Sequence, residues 1–208
     1  MADTQLWSKI HAERADFADF VGSLTPQQLE SPSRCAGWRA RDVIGHMLSA
    51  AHTSPGNFFP GLIASGFRFN TYTQKGAERF GSGTAAELAE KMRATTTMTN
   101  HPPGPATAML GEMIVHGEDV RRPLGVSYSY PADHIIAVGE FYKTSNLLLG
   151  SKKRITGLTL RASDADWSTG SGPEVVGPGA SLLAAMTGRK AALDDLKGDG
   201  LEQFAARF

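Results

Sequence analysis

Glu112 and His116 stand four residues apart in Gly111-Glu-Met-Ile-Val-His116, within a stretch whose apolar residues recur at helical spacing. Side chains at i and i+4 share one side of a helix, one above the other. Met109, Met113, Val120 and Leu124 mark an apolar stripe, with His116 on it and Glu112 at its margin. A carboxylate placed there is costly unless it is paired, hydrogen-bonded or bound to metal. Zinc takes carboxylate oxygen at about 2.0–2.2 Å and imidazole nitrogen at about 2.0–2.1 Å, and this spacing can supply both. An ordinary Glu–His hydrogen bond in a bundle has the same spacing, so ligation needs a third donor from another element. His11 lies in a first helix, His52 at a helix end, His101 in a Pro-rich loop and His134 near a helix start. His46 is the best candidate, one turn after Asp42 and two after Trp38, bordering the Val43/Met47/Ala50 face. A core histidine bonded to a neighbour remains its alternative.

The elements that must position these residues are helical. Leu6, Ile10, Phe17, Phe20 and Val21 predict an amphipathic first helix over 5–22. Thr25 and Pro26 suit the N-cap and first position of another. The turn-rich segment 31–37 leads into a helix over 38–51, and Thr84 caps one running to about Met98. The Glu112/His116 helix follows the Pro-rich break at 101–105 and closes at Gly125; a fifth spans 131–149. Segment 54–83, with five phenylalanines, is less regular and is expected to hold one or two short helices forming a pocket wall or lid. After Gly150 the pattern changes to a strand over 154–161, a turn-dense stretch over 164–173, a strand over 174–177 and a helix over 178–187. The expected architecture is α+β, mainly α: a bundle over 1–150 followed by a small α/β domain over 151–208.

Twenty-one basic and twenty-one acidic side chains cancel, leaving no electrostatic footprint for nucleic acid or an anionic membrane. No stretch approaches the roughly 20 apolar residues needed to cross a bilayer, and the N-terminus does not read as a signal peptide. A single cysteine, Cys35, excludes an intramolecular disulfide and fits a reducing, cytoplasmic setting. In a turn without a histidine near it in sequence, Cys35 reads as packing. Asp42 and Asp119 each stand about one turn from a candidate histidine and suit orientation of its imidazole, although salt bridges to Arg41, Arg121 or Arg122 suit them equally. Glu118 points away from the stripe and is expected in solvent.

Pro32-Ser-Arg-Cys-Ala-Gly-Trp-Arg-Ala-Arg-Asp-Val-Ile-Gly-His46 and Gly111-Glu-Met-Ile-Val-His-Gly-Glu-Asp-Val-Arg-Arg-Pro-Leu-Gly125 resemble the two signatures of the actinobacterial mycothiol-dependent maleylpyruvate isomerase family. The run 162–178 and Thr187-Gly-Arg189 resemble that family's sterol-carrier-like second domain. The resemblance implies a DinB-like four-helix bundle and a divalent metal held by His46, Glu112 and His116. It also makes Arg189 the counterpart of a catalytic arginine. Zinc is the metal implied, although His/His/Glu sites also take nickel, iron or manganese.

Three protein ligands leave an open position, as catalytic zinc sites do. A small thiol such as mycothiol entering it would be held as thiolate, the nucleophilic form. The expected function is therefore a thiol-dependent isomerase or S-transferase acting on small electrophiles, with Arg189 binding a substrate carboxylate or stabilising an enolate. The competing function is a non-catalytic small-molecule or lipid-binding module with a structural metal. That module would close the metal with a fourth protein ligand. Neither reading fixes an oligomeric state.

Overall fold

The computed structural model describes residues 2–146 and 149–208. It divides into two compact units, 1–127 and 128–208.

The first unit is helical throughout. Helix α1 spans Ala2–Gly22, α2 Pro26–Glu30, α3 Ala40–His52, α4 Pro55–Ala64, α5 Phe69–Phe80, α6 Ala85–Arg93 and α7 Thr107–Arg121. Helix α1 packs on α6 and α7, while α3 packs on α5 and α7. Phe17, Val21, Val43, Ile44, Leu48, Leu88, Met92, Met113 and Val120 fill the space between them. The two expected threonine caps form. Thr25 Oγ1 accepts from Gln28 N at 3.2 Å while Gln28 Oε1 accepts from Thr25 N at 2.9 Å, and Thr84 and Glu87 repeat the reciprocal pattern. Such boxes satisfy amide donors that a helix start otherwise leaves open.

Several boundaries differ from the sequence expectation. Helix α3 begins at Ala40, because Trp38 and Arg39 belong to the preceding turn. Helix α6 stops at Arg93 and not near Met98. The buried Arg14 of α1 donates to the carbonyls of Thr95 (2.7 Å) and Met98 (2.8 Å), holding that segment as turns. The aromatic segment is more regular than expected, forming α4 and α5 around a sharp turn at Gly66 and Phe67. Helix α7 passes into a short 3₁₀ turn, Arg122–Leu124, closed by Gly125 in the left-handed region at φ 71°.

The second unit contains α8 (Ala132–Tyr142), α9 (Ser151–Ile155), strands β1 (Thr159–Ala162), β2 (Ser168–Gly170) and β3 (Glu174–Gly177), α10 (Gly179–Met186) and α11 (Leu201–Ala205). The strand order is β2-β1-β3, with β1–β2 antiparallel and β1–β3 parallel. Leu160 pairs with Thr169 on one side and Val175 on the other. Arg154 and Ile155, expected in the strand, instead end α9, and β2 forms inside the segment read as turns. Helix α8 ends at Tyr142, short of the expected 149; positions 147 and 148 of that expectation lie outside the described residues. The units divide at 127/128, whereas the sequence reading puts a domain boundary near 151. The difference is α8, which packs on α10. The result is a mainly helical α+β fold with a three-stranded sheet.

Candidate metal centre

Helix α7 supplies two of the candidate ligands and α3 the third. His46 Nε2 and Glu112 Oε2 stand 3.1 Å apart, and His116 Nε2 lies 3.4 Å from the same oxygen. One ligand atom from each residue falls within 4.8 Å of the others. The imidazole rings of His46 and His116 meet edge to face with centroids 4.9 Å apart. The three residues selected from sequence therefore converge on one point of the first unit.

Their donor set suits a divalent ion. Two nitrogens and one carboxylate oxygen at bond lengths near 2.0–2.2 Å place tetrahedral ligand atoms about 3.4 Å apart, close to both separations to Glu112. Among the described residues, no fourth His, Cys, Asp or Glu joins the three. The side chain of Glu112 keeps a third of its surface accessible, whereas that of His116 keeps 11%. Solvent thus reaches the cluster past the carboxylate.

Asp119 fixes the orientation of His116. Its Oδ2 lies 2.9 Å from His116 Nδ1, so that nitrogen carries the proton and Nε2 is turned toward Glu112. A carboxylate behind a ligating histidine sets its tautomer in this way and raises its basicity. Asp42, the other carboxylate considered for that role, is taken by Arg39: Nε, Nη2 and the backbone N all donate to it at 2.9 Å. Its hydrogen-bonding partner is thus Arg39 and not a histidine, and Arg41, named from sequence, adds its charge.

Burial by itself would raise the Glu112 carboxyl, but the charge of His116 and hydrogen bonds from His116 and His46 outweigh it and hold the group well below the usual carboxylate range. Burial would conversely lower His116. Glu112, Asp119 and the hydrogen bond to Cys35 overcome that and hold it well above an ordinary imidazole. Without metal the cluster is an ion pair, with negative charge where a cation would sit.

Cys35 packs against the bundle core as expected, with polar neighbours the sequence did not signal, while Glu118 departs from the sequence reading. Cys35 has a chemical neighbourhood: its thiol lies 3.0 Å from Asp119 Oδ2 and 3.6 Å from His116 Nδ1. The turn that carries it is fastened to α7, where Arg34 N donates to Asp119 O at 2.9 Å. Ser33 Oγ accepts from Cys35 N at 3.1 Å and, like Ser33 N, donates to Trp38 O. No local pattern signals this approach, because it spans more than eighty residues of chain. Glu118 is buried at 3% exposure and held by Arg122 at 2.7 Å, not solvated. Helix α7 is covered on nearly every face, so it has no solvent side to receive Glu118.

Arg189 lies in the second unit, just before the 3₁₀ turn Lys190–Asp195. Its Nη1 donates to Thr187 Oγ1 at 3.0 Å. Trp38 packs against the bundle core with its ring edge-on to His46 at 5.3 Å, and Trp167 is buried in the second unit.

By fold and site, then, the first unit is a helical bundle carrying a His/His/Glu cluster, and the second a small α/β unit. Residues 10–59 match the family described as the mycothiol maleylpyruvate isomerase N-terminal domain. The sequence has no match among curated proteins. Solved structures share the fold. A histidine-to-alanine mutant of the mycothiol-dependent maleylpyruvate isomerase aligns over 96% of this chain and 93% of its own, with a TM-score of 0.62 at 10% identity. A second structure of that isomerase aligns over the same shares with a TM-score of 0.54 at 13% identity. The segment that carries α3 thus bears this family's N-terminal signature, and the described chain has the isomerase fold. No helix among the described residues is long and apolar enough to cross a membrane.

Proposed function

We propose that this chain is a metal-dependent enzyme using mycothiol or a similar small thiol on small electrophiles, as an isomerase or S-transferase in the cytoplasm. The observation that carries the reading is the convergence of His46, Glu112 and His116 with Asp119 behind His116. A divalent ion held there, zinc in the first instance, would favour the thiolate of a bound thiol over the thiol.

The chain's own groups have separate tasks in this reading. Asp119 keeps the Nδ1 proton of His116 in place, so Nε2 faces the ligand position. Glu112, a third exposed, would hold the ion and offset part of its charge. Cys35 is turned to Asp119, which leaves nucleophilic attack to the exogenous thiol. Arg189 is the group proposed to bind a substrate carboxylate or the enolate charge that appears when the thiolate adds to an activated cis double bond. The former double bond then turns as a single bond, and loss of the thiolate restores it in the trans form. Absence of a fourth such ligand among the described residues favours this reading over a structural metal in a binding module.

Elemental analysis of purified wild type beside Glu112→Ala is the first test, followed by mycothiol turnover with maleylpyruvate and model electrophiles. Wild type should carry about one divalent ion per chain and the variant much less, with activity falling in parallel. Equal metal in both proteins would reject the ligand set. Full metal occupancy with no thiol reaction would transfer the assignment to the binding module.

A further inference from the structure

A second feature of the first unit is a cleft of about 460 Å³ between α3, α4 and α5. Ser49 and His52 of α3 and its C-cap Thr53 line it on one side, and Tyr72, Lys75 and Arg79 of α5 on the other. Among the described residues, no acidic side chain contributes to its wall. We propose that this cleft binds a small oxyanion, a carboxylate or phosphate carried by a polar molecule.

The two cations are the strongest argument. Lys75 and Arg79 stand at i and i+4, where like charges repel. Among the described residues neither has an acidic partner; the guanidinium of Arg79 lies over the Phe80 ring at 5.4 Å. An anion between them would convert repulsion into two charge-assisted hydrogen bonds. Arg93 on the same unit is by contrast matched by Asp19 and Glu90.

The wall behind them is built for polar contact. Thr53 Oγ1 donates to Ser49 O at 2.8 Å and lies 3.4 Å from the Tyr72 hydroxyl, fixing hydroxyls from two helices side by side. His52 donates its Nδ1 proton to Leu48 O at 2.9 Å and stacks on Phe80, which locks its ring. Two glycines let the helices close around this wall. A Cβ at Gly61 would come 2.7 Å from the Tyr72 ring, and one at Gly76 would come 2.4 Å from Ser49 Oγ. A helix-interior glycine costs about 1 kcal/mol relative to alanine, and close approach accounts for both.

The position of the cleft ties it to the candidate centre. Ser49 of α3 and its C-cap Thr53 follow His46 at i+3 and i+7, about 5 to 10 Å along the helix axis. If the proposed function holds, the cleft would seat the charged end of the thiol or of the electrophile. That assignment rests on the reading above, whereas the oxyanion site does not.

Titration calorimetry on chelator-treated protein separates the two, with inorganic phosphate and malonate as probes against sodium chloride at matched ionic strength. Saturable binding of phosphate or malonate is expected, weakened about tenfold or more in Lys75→Gln/Arg79→Gln and kept in Lys75→Arg and in Glu112→Gln. The preferred probe identifies the oxyanion. Binding equal in wild type and the double glutamine variant, or no heat beyond that of chloride, overturns the proposal. Because metal is absent throughout, a failed metal test leaves this result unaffected. Circular dichroism of each variant confirms that these exposed positions leave the helices intact.

Discussion

His116 uses its two ring nitrogens for different purposes, and Asp119 is what separates them. With Nδ1 held at 2.9 Å by Asp119, only Nε2 is offered toward Glu112 and His46. Asp119→Asn should therefore lower divalent-metal affinity about 10- to 100-fold with little loss of helix signal, read by competition with a chromogenic chelator. Affinity equal to wild type would show that Asp119 serves packing alone. The metal-free cluster makes a separate prediction through pH. Glu112 is depressed below its ordinary 4.5, so its contribution to stability is present above that value and lost as pH falls through the depressed one. His116 is raised above its ordinary 6.5, so its contribution is present below 6.5 and lost as pH rises through the raised value. The excess stability of chelator-treated wild type over Glu112→Gln should then peak between pH 4.5 and 6.5 and narrow on both sides, measured by urea midpoints. A difference flat across pH 3–9 would reject the ion pair. Of these residues, Glu112, His116 and Asp119 could be selected by helical spacing, since i+3 and i+4 relations survive into the fold, whereas His46 as third ligand rests on the resemblance of its segment to a family signature. Cys35 could not, because its approach to Asp119 depends on how a turn between helices folds back on α7. Glu118 was misread because a one-stripe pattern implies a solvent face that a helix surrounded on all sides lacks.

At the scale of elements, α3 and α5 come into close backbone approach. A Cβ at Gly45 would lie 2.2 Å from Ala77 O and 2.6 Å from Gly81 N, both backbone atoms that cannot rotate away. Gly45→Ala should cost more than about 2 kcal/mol and, by moving α3, weaken metal binding through His46, one residue further on. Chemical denaturation with and without zinc reads both effects. The turn between α4 and α5 stores the opposite opportunity. Phe67, 73% exposed, is held at φ 58°, a conformation that burdens a residue with a Cβ. Phe67→Gly should stabilise the chain by about 0.5–1 kcal/mol, after the extra freedom glycine gains on unfolding is subtracted. A lower urea midpoint would mean that the exposed ring packs usefully in its present place. Element starts were readable wherever a local hydrogen bond defines them, as at Thr25 and Thr84. Ends were less so: α6 stops because Arg14, eighty residues earlier, takes carbonyls just beyond it.

At the scale of the whole molecule, packing and composition place the start of the second unit differently. Its sequence changes character after Gly150, and composition accordingly suggested a boundary near 151. Packing assigns α8 to the later unit. A Cβ at Gly179 would lie 2.4 Å from a side-chain methyl of Ile135, so the start of α10 packs directly on the Ile135 side chain of α8. Trp167 lies against Gly139, where a Cβ would come 2.5 Å from its ring, and its Nε1 donates to Glu140 Oε1 at 3.1 Å. Removing α8 would uncover this indole and the apolar face of α10, each buried aromatic of this kind being worth about 3–5 kcal/mol when its packing is lost. A separately expressed unit of this size has little stability to spare. We therefore propose that residues 128–208 form a folding unit and that 151–208 do not. The longer fragment should unfold cooperatively in urea with a blue-shifted Trp167 emission. The shorter should show solvent-exposed tryptophan and no cooperative transition. Cooperative unfolding of both with the same Trp167 environment would return the boundary to 151 and reduce α8 to a linker helix.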